Sequence, residues 1–220
     1  MGIVFGRTGV SEPHYDLLLS RSFYEIRRYG RRFAVEAEYG GEDDLNSAFR
    51  LLAGYIGVGR PPRNDGGRSI AMTAPVVTTD ASSGGGKKIA MTAPVVTDAS
   101  GGRKGTGKVM QFILPAEFDE RSKIPNPTDA GVRIAEVPPA VGAVHRFDGW
   151  VKEKKAREKV SLLVGRLNSD GLDIKETDAF EKYLLWQYNP PFTIPQFRRN
   201  EVWIELTEGQ VDQLRERSSS

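Results

Sequence analysis

Few side chains in this chain are suited to chemistry. It has two histidines, His14 and His145, four methionines and no cysteine. Without cysteine there are no disulfides, no thiolate nucleophiles and no thiolate-bound metals. His145 shares strand parity with Val141, Ala143 and Phe147, which is the pattern of a structural histidine rather than a metal ligand, and His14 lies in the N-terminal lead-in. Met72 and Met91 belong to apolar runs and read as core. No paired carboxylates and no nucleophile–base–orienter set stand in a recognisable frame, so nothing points to catalysis. The arginines remain: Arg50, and Arg198-Arg199 just before Glu201. A guanidinium binds carboxylates in a planar fork. Arg198 and Arg199 could therefore steer an anionic ligand toward the neighbouring loop or form an ion pair with Glu201 that holds the loop down, and the second reading carries more weight.

Overall charge adds little. Thirty-one Lys+Arg stand against 29 Asp+Glu, giving a net charge of +2. The two signs are interspersed, so no field favours a nucleic-acid partner. The cluster Lys152–Lys159 is interrupted by Glu153 and Glu158, as on a solvated helix face. No apolar run is long enough for a membrane span. The opening MGIVFGRTGVSEPHYD lacks a signal core, and Gly6 stands where a myristoylation motif wants Ser or Thr. A cytoplasmic location is the expectation.

The elements that must position these groups are organised around a repeat. The nonamer IAMTAPVVT occurs at Ile70–Thr78 and again at Ile89–Thr97. It alternates as a strand does, with Ile70, Met72 and Val76 pointing one way and Ala71, Thr73 and Val77 the other. Pro75 suits an edge, a bulge or a bend. Two copies are too few for a solenoid, so one copy is a strand of the fold and the other an insertion with its Gly/Ser-rich loop. Spacing from Tyr55-Ile56-Gly57 favours the first copy and spacing to Phe112-Ile113-Leu114 the second, with the balance on the first.

Around this repeat, strand patterns at Tyr24–Tyr29 and Phe33–Tyr39 flank Gly30 as a hairpin would. A helix starts near Asp43 or Asp44, with Leu45, Ala48, Phe49, Leu52, Ala53 and Ile56 on one face. The strand Val109–Leu114 ends at Pro115. The plan then restarts with strands Val132–Val137 and Val141–Phe147, which place Val132 on Tyr24 and Phe147 on Tyr39. A helix from Trp150 to about Leu167 and strands Tyr183–Tyr188 and Arg199–Leu206 complete it. The chain thus reads ββαββ twice, an α+β fold of pseudo-two-fold plan with two four-stranded antiparallel sheets, each carrying one helix. Residues 1–20 are expected to be an irregular lead-in, 21–207 a single domain with a duplicated strand-and-loop insertion near 70–107, and 208–220 a polar tail.

Several stretches in this order carry a resemblance: YEIRRY at Tyr24–Tyr29, YIG at Tyr55–Gly57, AMTAPV at Ala71–Val76, FILP at Phe112–Pro115 and YNPPFTIPQFRRNEVWI at Tyr188–Ile204. Over roughly residues 20–207 the chain resembles the SOUL/haem-binding protein family. Its MGIVFG start and tandem IAMTAPVVT copies are similar to the cytosolic plant and green-algal branch. The resemblance implies a distorted β-barrel and reversible binding of haem or other tetrapyrroles, without established catalysis.

It also implies a shallow apolar cleft between the first helix and the loop joining the last two strands. Asn46, Phe49, Arg50 and Ala53 of the helix and Tyr188, Asn189, Pro190, Pro191 and Phe192 of the loop fall at the matching positions. A porphyrin is a flat apolar disc with carboxylates on one edge, so aromatic walls and a cation at the rim suit it. Phe49 and Ala53 lie equally on the helix's own core stripe, where family members carry longer side chains such as Met. Neither histidine falls in the implied cleft, so no axial ligand and no metal site are expected, and the function would be that of a carrier, buffer or scavenger. The alternatives are a lipophilic-ligand or regulatory module, since the plan also resembles bacterial effector-binding domains, and a tetrapyrrole-modifying enzyme.

Overall fold

The computed structural model describes residues 11–40, 44–80, 108–189 and 193–217. Among these residues nine strands and four α-helices follow in the order β1 (Tyr15–Ser20), β2 (Glu25–Tyr29), β3 (Arg32–Tyr39), α1 (Leu45–Ile56), β4 (Val76–Asp80), β5 (Lys108–Ile113), β6 (Arg133–Val137), β7 (Ala140–Asp148), α2 (Glu153–Ser169), α3 (Glu176–Lys182), β8 (Leu184–Gln187), β9 (Arg199–Glu205) and α4 (Glu208–Glu216). The fold is α+β, with a strongly curled antiparallel sheet forming a half-barrel.

The strand order is β1-β2-β7-β9-β8-β4-β5-β3-β6. Two groups of four, β2-β7-β9-β8 and β4-β5-β3-β6, meet at the β8–β4 pair, and each contains one strand from the other stretch of chain. The expected hairpin across Gly30 is therefore not formed: β2 pairs with β1 and β7, whereas β3 pairs with β5 and β6. Tight two-residue hairpins need positive φ, and Gly30 does not have it. Arg27 of β2 is instead tied to Glu201 of β9 by a 2.9 Å ion pair, which holds β2 in the second group.

Two other expectations are corrected. Within the supposed irregular lead-in, Tyr15–Ser20 forms edge strand β1 against β2. A register shift between Leu17 and Leu19 breaks its period of two, which hides the strand in the sequence. Within the supposed polar tail, Glu208–Glu216 is helix α4. Thr207 and Gln210 close a capping box at its start, and Val211 and Leu214 face the core.

The first IAMTAPVVT copy supplies β4, which pairs with β5 and β8. The regular strand starts only at Val76. Before it, Ile70 donates its N–H to the Ile56 carbonyl at 3.0 Å, anchoring this copy to the end of α1. The second copy lies outside the described residues.

Alternation along the strands sorts the core into two faces. On one, α1 covers Phe33, Val35, Ala37, Met110 and Phe112, while α2, α3 and α4 cover Ile26, Ala143, Val202 and Ile204. The other is the inner face of the half-barrel, where Tyr29, Trp186, Tyr188 and Trp203 cluster. Gly142 permits this packing, because a Cβ there would sit 2.5 Å from the Trp203 indole.

Candidate functional site

Helix α1 ends where Gly57 turns left-handed at φ 84° and gives its N–H to the Ala53 and Gly54 carbonyls. Its 3–4 spacing sets Ala48, Leu52, Ala53 and Ile56 into the core and leaves Asn46 and Arg50 exposed. Phe49 sits at the boundary, partly buried, with its ring 5.3 Å edge-on from Phe112 of β5. The Arg50 guanidinium reaches Ser47 Oγ at 3.4 Å, a contact within its own helix. One side of α1 thus presents a half-covered aromatic ring beside an exposed cation and an amide.

Of the loop residues, Tyr188 belongs to the inner-face cluster and Ala53 and Phe49 to the α1 cluster, so these three are not drawn into one group. Tyr188 donates its hydroxyl to Glu201 Oε2 at 2.7 Å, and burial, reinforced by that carboxylate, raises its pKa. The Asn189 side-chain oxygen accepts the Arg199 N–H at 2.8 Å, closing the entry to β9. Pro190, Pro191 and Phe192 lie outside the described residues.

The two adjacent arginines take different roles. Arg199 pairs with Glu201 at 2.8 Å and with Glu12 at 3.0 Å. Together with Arg27 it encloses Glu201, which is 0% exposed. Of the two arginines Arg199 alone thus forms the expected ion pair with Glu201, and the network joins β9 to β2 and to Glu12. Arg198 meets no carboxylate among the described residues: its guanidinium lies 3.4 Å over the Trp150 ring and its Nε donates to the Thr193 carbonyl at 2.8 Å.

His145 lies on the second group of strands, stacked 4.0 Å from Phe23 and 6.1 Å from Phe147, with Nδ1 2.9 Å from the Phe23 carbonyl. Burial lowers its pKa, keeping the ring neutral. Enclosed by aromatic rings under α2, it offers no open approach to a macrocycle. His14 is exposed ahead of β1.

A cavity of about 230 Å³ opens at the seam on the helix-bearing face. Tyr39, Thr78, Lys108, Leu185 and Gln187 of β3, β4, β5 and β8 form its floor, Leu45 of α1 one wall, and Val151–Glu153 and Ala156 the other, with Tyr183 beside them. The sequence reading passed over this site. Its residues come from both strand groups and from the starts of α1 and α2, and only Lys108, Lys152 and Glu153 among them are charged.

A family model described as SOUL heme-binding protein matches residues 10–84 and 80–205. The chain belongs to the SOUL heme-binding protein family. The two matched stretches meet between the two nonamer copies. No curated protein matches in sequence. Among solved structures, the EcmrR C-terminal domain is similar at 7% identity and TM-score 0.51, covering 88% of this chain and 98% of its own. A hydrolase from Listeria innocua is similar at 11% identity and TM-score 0.51, covering 85% and 93%. At these identities the likeness is one of fold alone. The family suggests heme or tetrapyrrole binding, and among the described residues no helix is long and apolar enough to cross a membrane.

Proposed function

We propose that this SOUL protein binds haem and metal-free tetrapyrroles reversibly on the outer side of α1, and that it serves as a cytoplasmic carrier or buffer of the plant and green-algal type without altering the ring. The observation that carries the reading is the pairing of a partly buried Phe49 ring with the exposed Arg50 guanidinium on a helix of a heme-binding family. A macrocycle would lie its apolar face on Phe49, with Ala53 beneath, and direct its acidic edge to Arg50 and Asn46. The loop that begins at Asn189 would form the opposing edge, without Tyr188, which turns to the inner face and bonds Glu201. Nothing on this side of α1 is an imidazole or a thiolate, so affinity would come from the ring and its carboxylates rather than from iron. The 230 Å³ seam cavity is below the range of roughly 300–1,000 Å³ that encloses drug-sized ligands, so an open helix face is the better fit to a tetrapyrrole.

The test is a titration with haemin and with protoporphyrin, followed by the Soret band and tryptophan quenching, on the wild type, the Phe49→Ala/Arg50→Ala variant and His145→Ala. Saturable binding of both ligands, weakened in the double variant and unchanged in His145→Ala, supports the proposal. Binding of haemin alone, abolished in His145→Ala, would overturn it. Binding of neither would leave a fold without the family's function.

A further inference from the structure

The seam cavity has its own chemistry, independent of the α1 face. The β8–β4 pair joins the two strand groups, α1 covers one group and α2 the other, and the cavity opens between the two helices. Its walls combine the apolar surface of Leu45, Val151, Ala156 and Leu185 with the rings of Tyr39 and Tyr183. Thr78 and Gln187 add hydrogen-bonding groups on the floor.

Three charged residues line it among the described ones: Lys108, Lys152 and Glu153. Lys108 and Glu153 neutralise one another across the seam at 2.6 Å. The hydrogen bond from Lys108, with its charge, holds the Glu153 carboxyl below its ordinary range. Lys152 pairs with no carboxylate among the described residues and leaves the lining with one surplus positive charge. The adjoining first turn of α2, whose N-cap Lys152 makes no side-chain cap, adds partial positive charge of the same sign.

We propose that the seam cavity is a second ligand site, selective for small, compact aromatic monoanions of the arenecarboxylate class and too small for a tetrapyrrole. The apolar walls and tyrosine rings take the aromatic body, and Lys152 takes the carboxylate. The bound anion touches both strand groups and both helices, so its binding energy also clamps the seam.

The probe is 2-naphthoate, titrated into the full chain by calorimetry and by its own fluorescence, with the cation 2-naphthylmethylammonium as the charge control. The expected result is saturable, one-to-one binding of naphthoate with little binding of the cation. Reversing the exposed charge in Lys152→Glu should weaken naphthoate about tenfold, as two unit-charge changes near a solvent-facing site predict. Glu153→Gln, which frees Lys108, should tighten it severalfold, by roughly the same arithmetic for one charge. Gln187→Trp, which fills the floor, should abolish it. Should that variant fail to fold, the opposite responses of the two charge variants decide the matter. Phe49→Ala/Arg50→Ala should leave naphthoate binding unchanged, which separates this site from the α1 face. Absence of saturable binding, preference for the cation, equal responses of the two charge variants, or loss of binding in the Phe49/Arg50 variant would each overturn the proposal.

Discussion

Helices α1 and α2 hold corresponding places on the two strand groups, yet their outer surfaces differ. Helix α2 runs 17 residues with charge along its exposed side, α3 lies against it, and α4 completes the same core. Helix α1 runs 12 residues, has no acid in its first turn and no base in its last, and leaves Phe49 partly covered beside exposed Asn46 and Arg50. The second group's core is covered by three helices, with Leu162 of α2 left as an isolated exposed aliphatic, and the first group's single helix leaves an aromatic edge partly open beside a cation. A half-covered ring in water is a standing cost to the free protein, which a flat apolar ligand relieves. The contrast teaches that corresponding places in one fold can be divided between stability and binding.

Four measurements would break or sharpen that contrast. The largest effect belongs to the buried network that carries stability alone. Glu201→Ala would leave Arg27 and Arg199 without their shared carboxylate, and denaturant unfolding should show a loss of about 3–5 kcal/mol. A loss under about 1 kcal/mol would mean that the network is not structural. Next comes the α1 face. Phe49→Ala/Arg50→Ala should weaken protoporphyrin about tenfold, or about 1.4 kcal/mol. The same change on α2, Lys154→Ala/Glu158→Ala, should leave binding as it was, and equal losses from both pairs would end the comparison.

The third concerns the C-terminal helix that helps close the second group. Thr207→Ala removes the α4 cap and should cost about 1 kcal/mol in thermal or chemical unfolding, without touching ligand affinity. The smallest effect is a pH slope. His145 is buried with its pKa lowered from 6.5, desolvation being the main cause and Lys159 a lesser one, partly opposed by the Phe23 carbonyl. Its contribution to stability is therefore full above the unfolded value and is lost as pH falls through that value toward the lowered folded one. Melting temperature should decline between about pH 7 and about pH 5 in the wild type and less in His145→Phe, with porphyrin affinity equal in both at pH 7. Identical slopes would show that the ring is not held neutral by its burial.

How far the sequence spoke can be judged element by element. The α1 stripe was legible because Leu45, Ala48, Leu52 and Ile56 repeat at the helical period, and the helix occupies Leu45–Ile56. The parity of His145 with Val141, Ala143 and Phe147 was legible for the same local reason, and these four line one side of β7. α4 was legible in principle, since Thr207 and Gln210 have capping-box spacing ahead of Val211 and Leu214, but its polar composition masked the signal. The candidate site was legible only in its parts. Phe49 and Arg50 could be placed on one helix, but nothing local could reveal that Tyr188 turns into the inner face to serve Glu201.

By itself, then, the sequence determined what depends on neighbours in the chain: the helical and strand periods, the lack of thiol chemistry, the duplicated nonamer and the family motifs. The tertiary structure alone decided what depends on distant partners. The exchange of β2 between strand groups rests on Arg27 meeting Glu201, 174 residues away. The separate fates of Arg198 and Arg199 rest on their places at the entry to β9: Arg198 ends the short turn Pro195–Phe197 and lies over Trp150, whereas Arg199 opens the strand and pairs with Glu201. The seam cavity exists because two helices stop short of each other over a strand pair that joins Thr78 to Leu185. Local periodicity reports which face of an element is apolar. It does not report which other element covers that face, because this depends on packing between residues far apart in the chain.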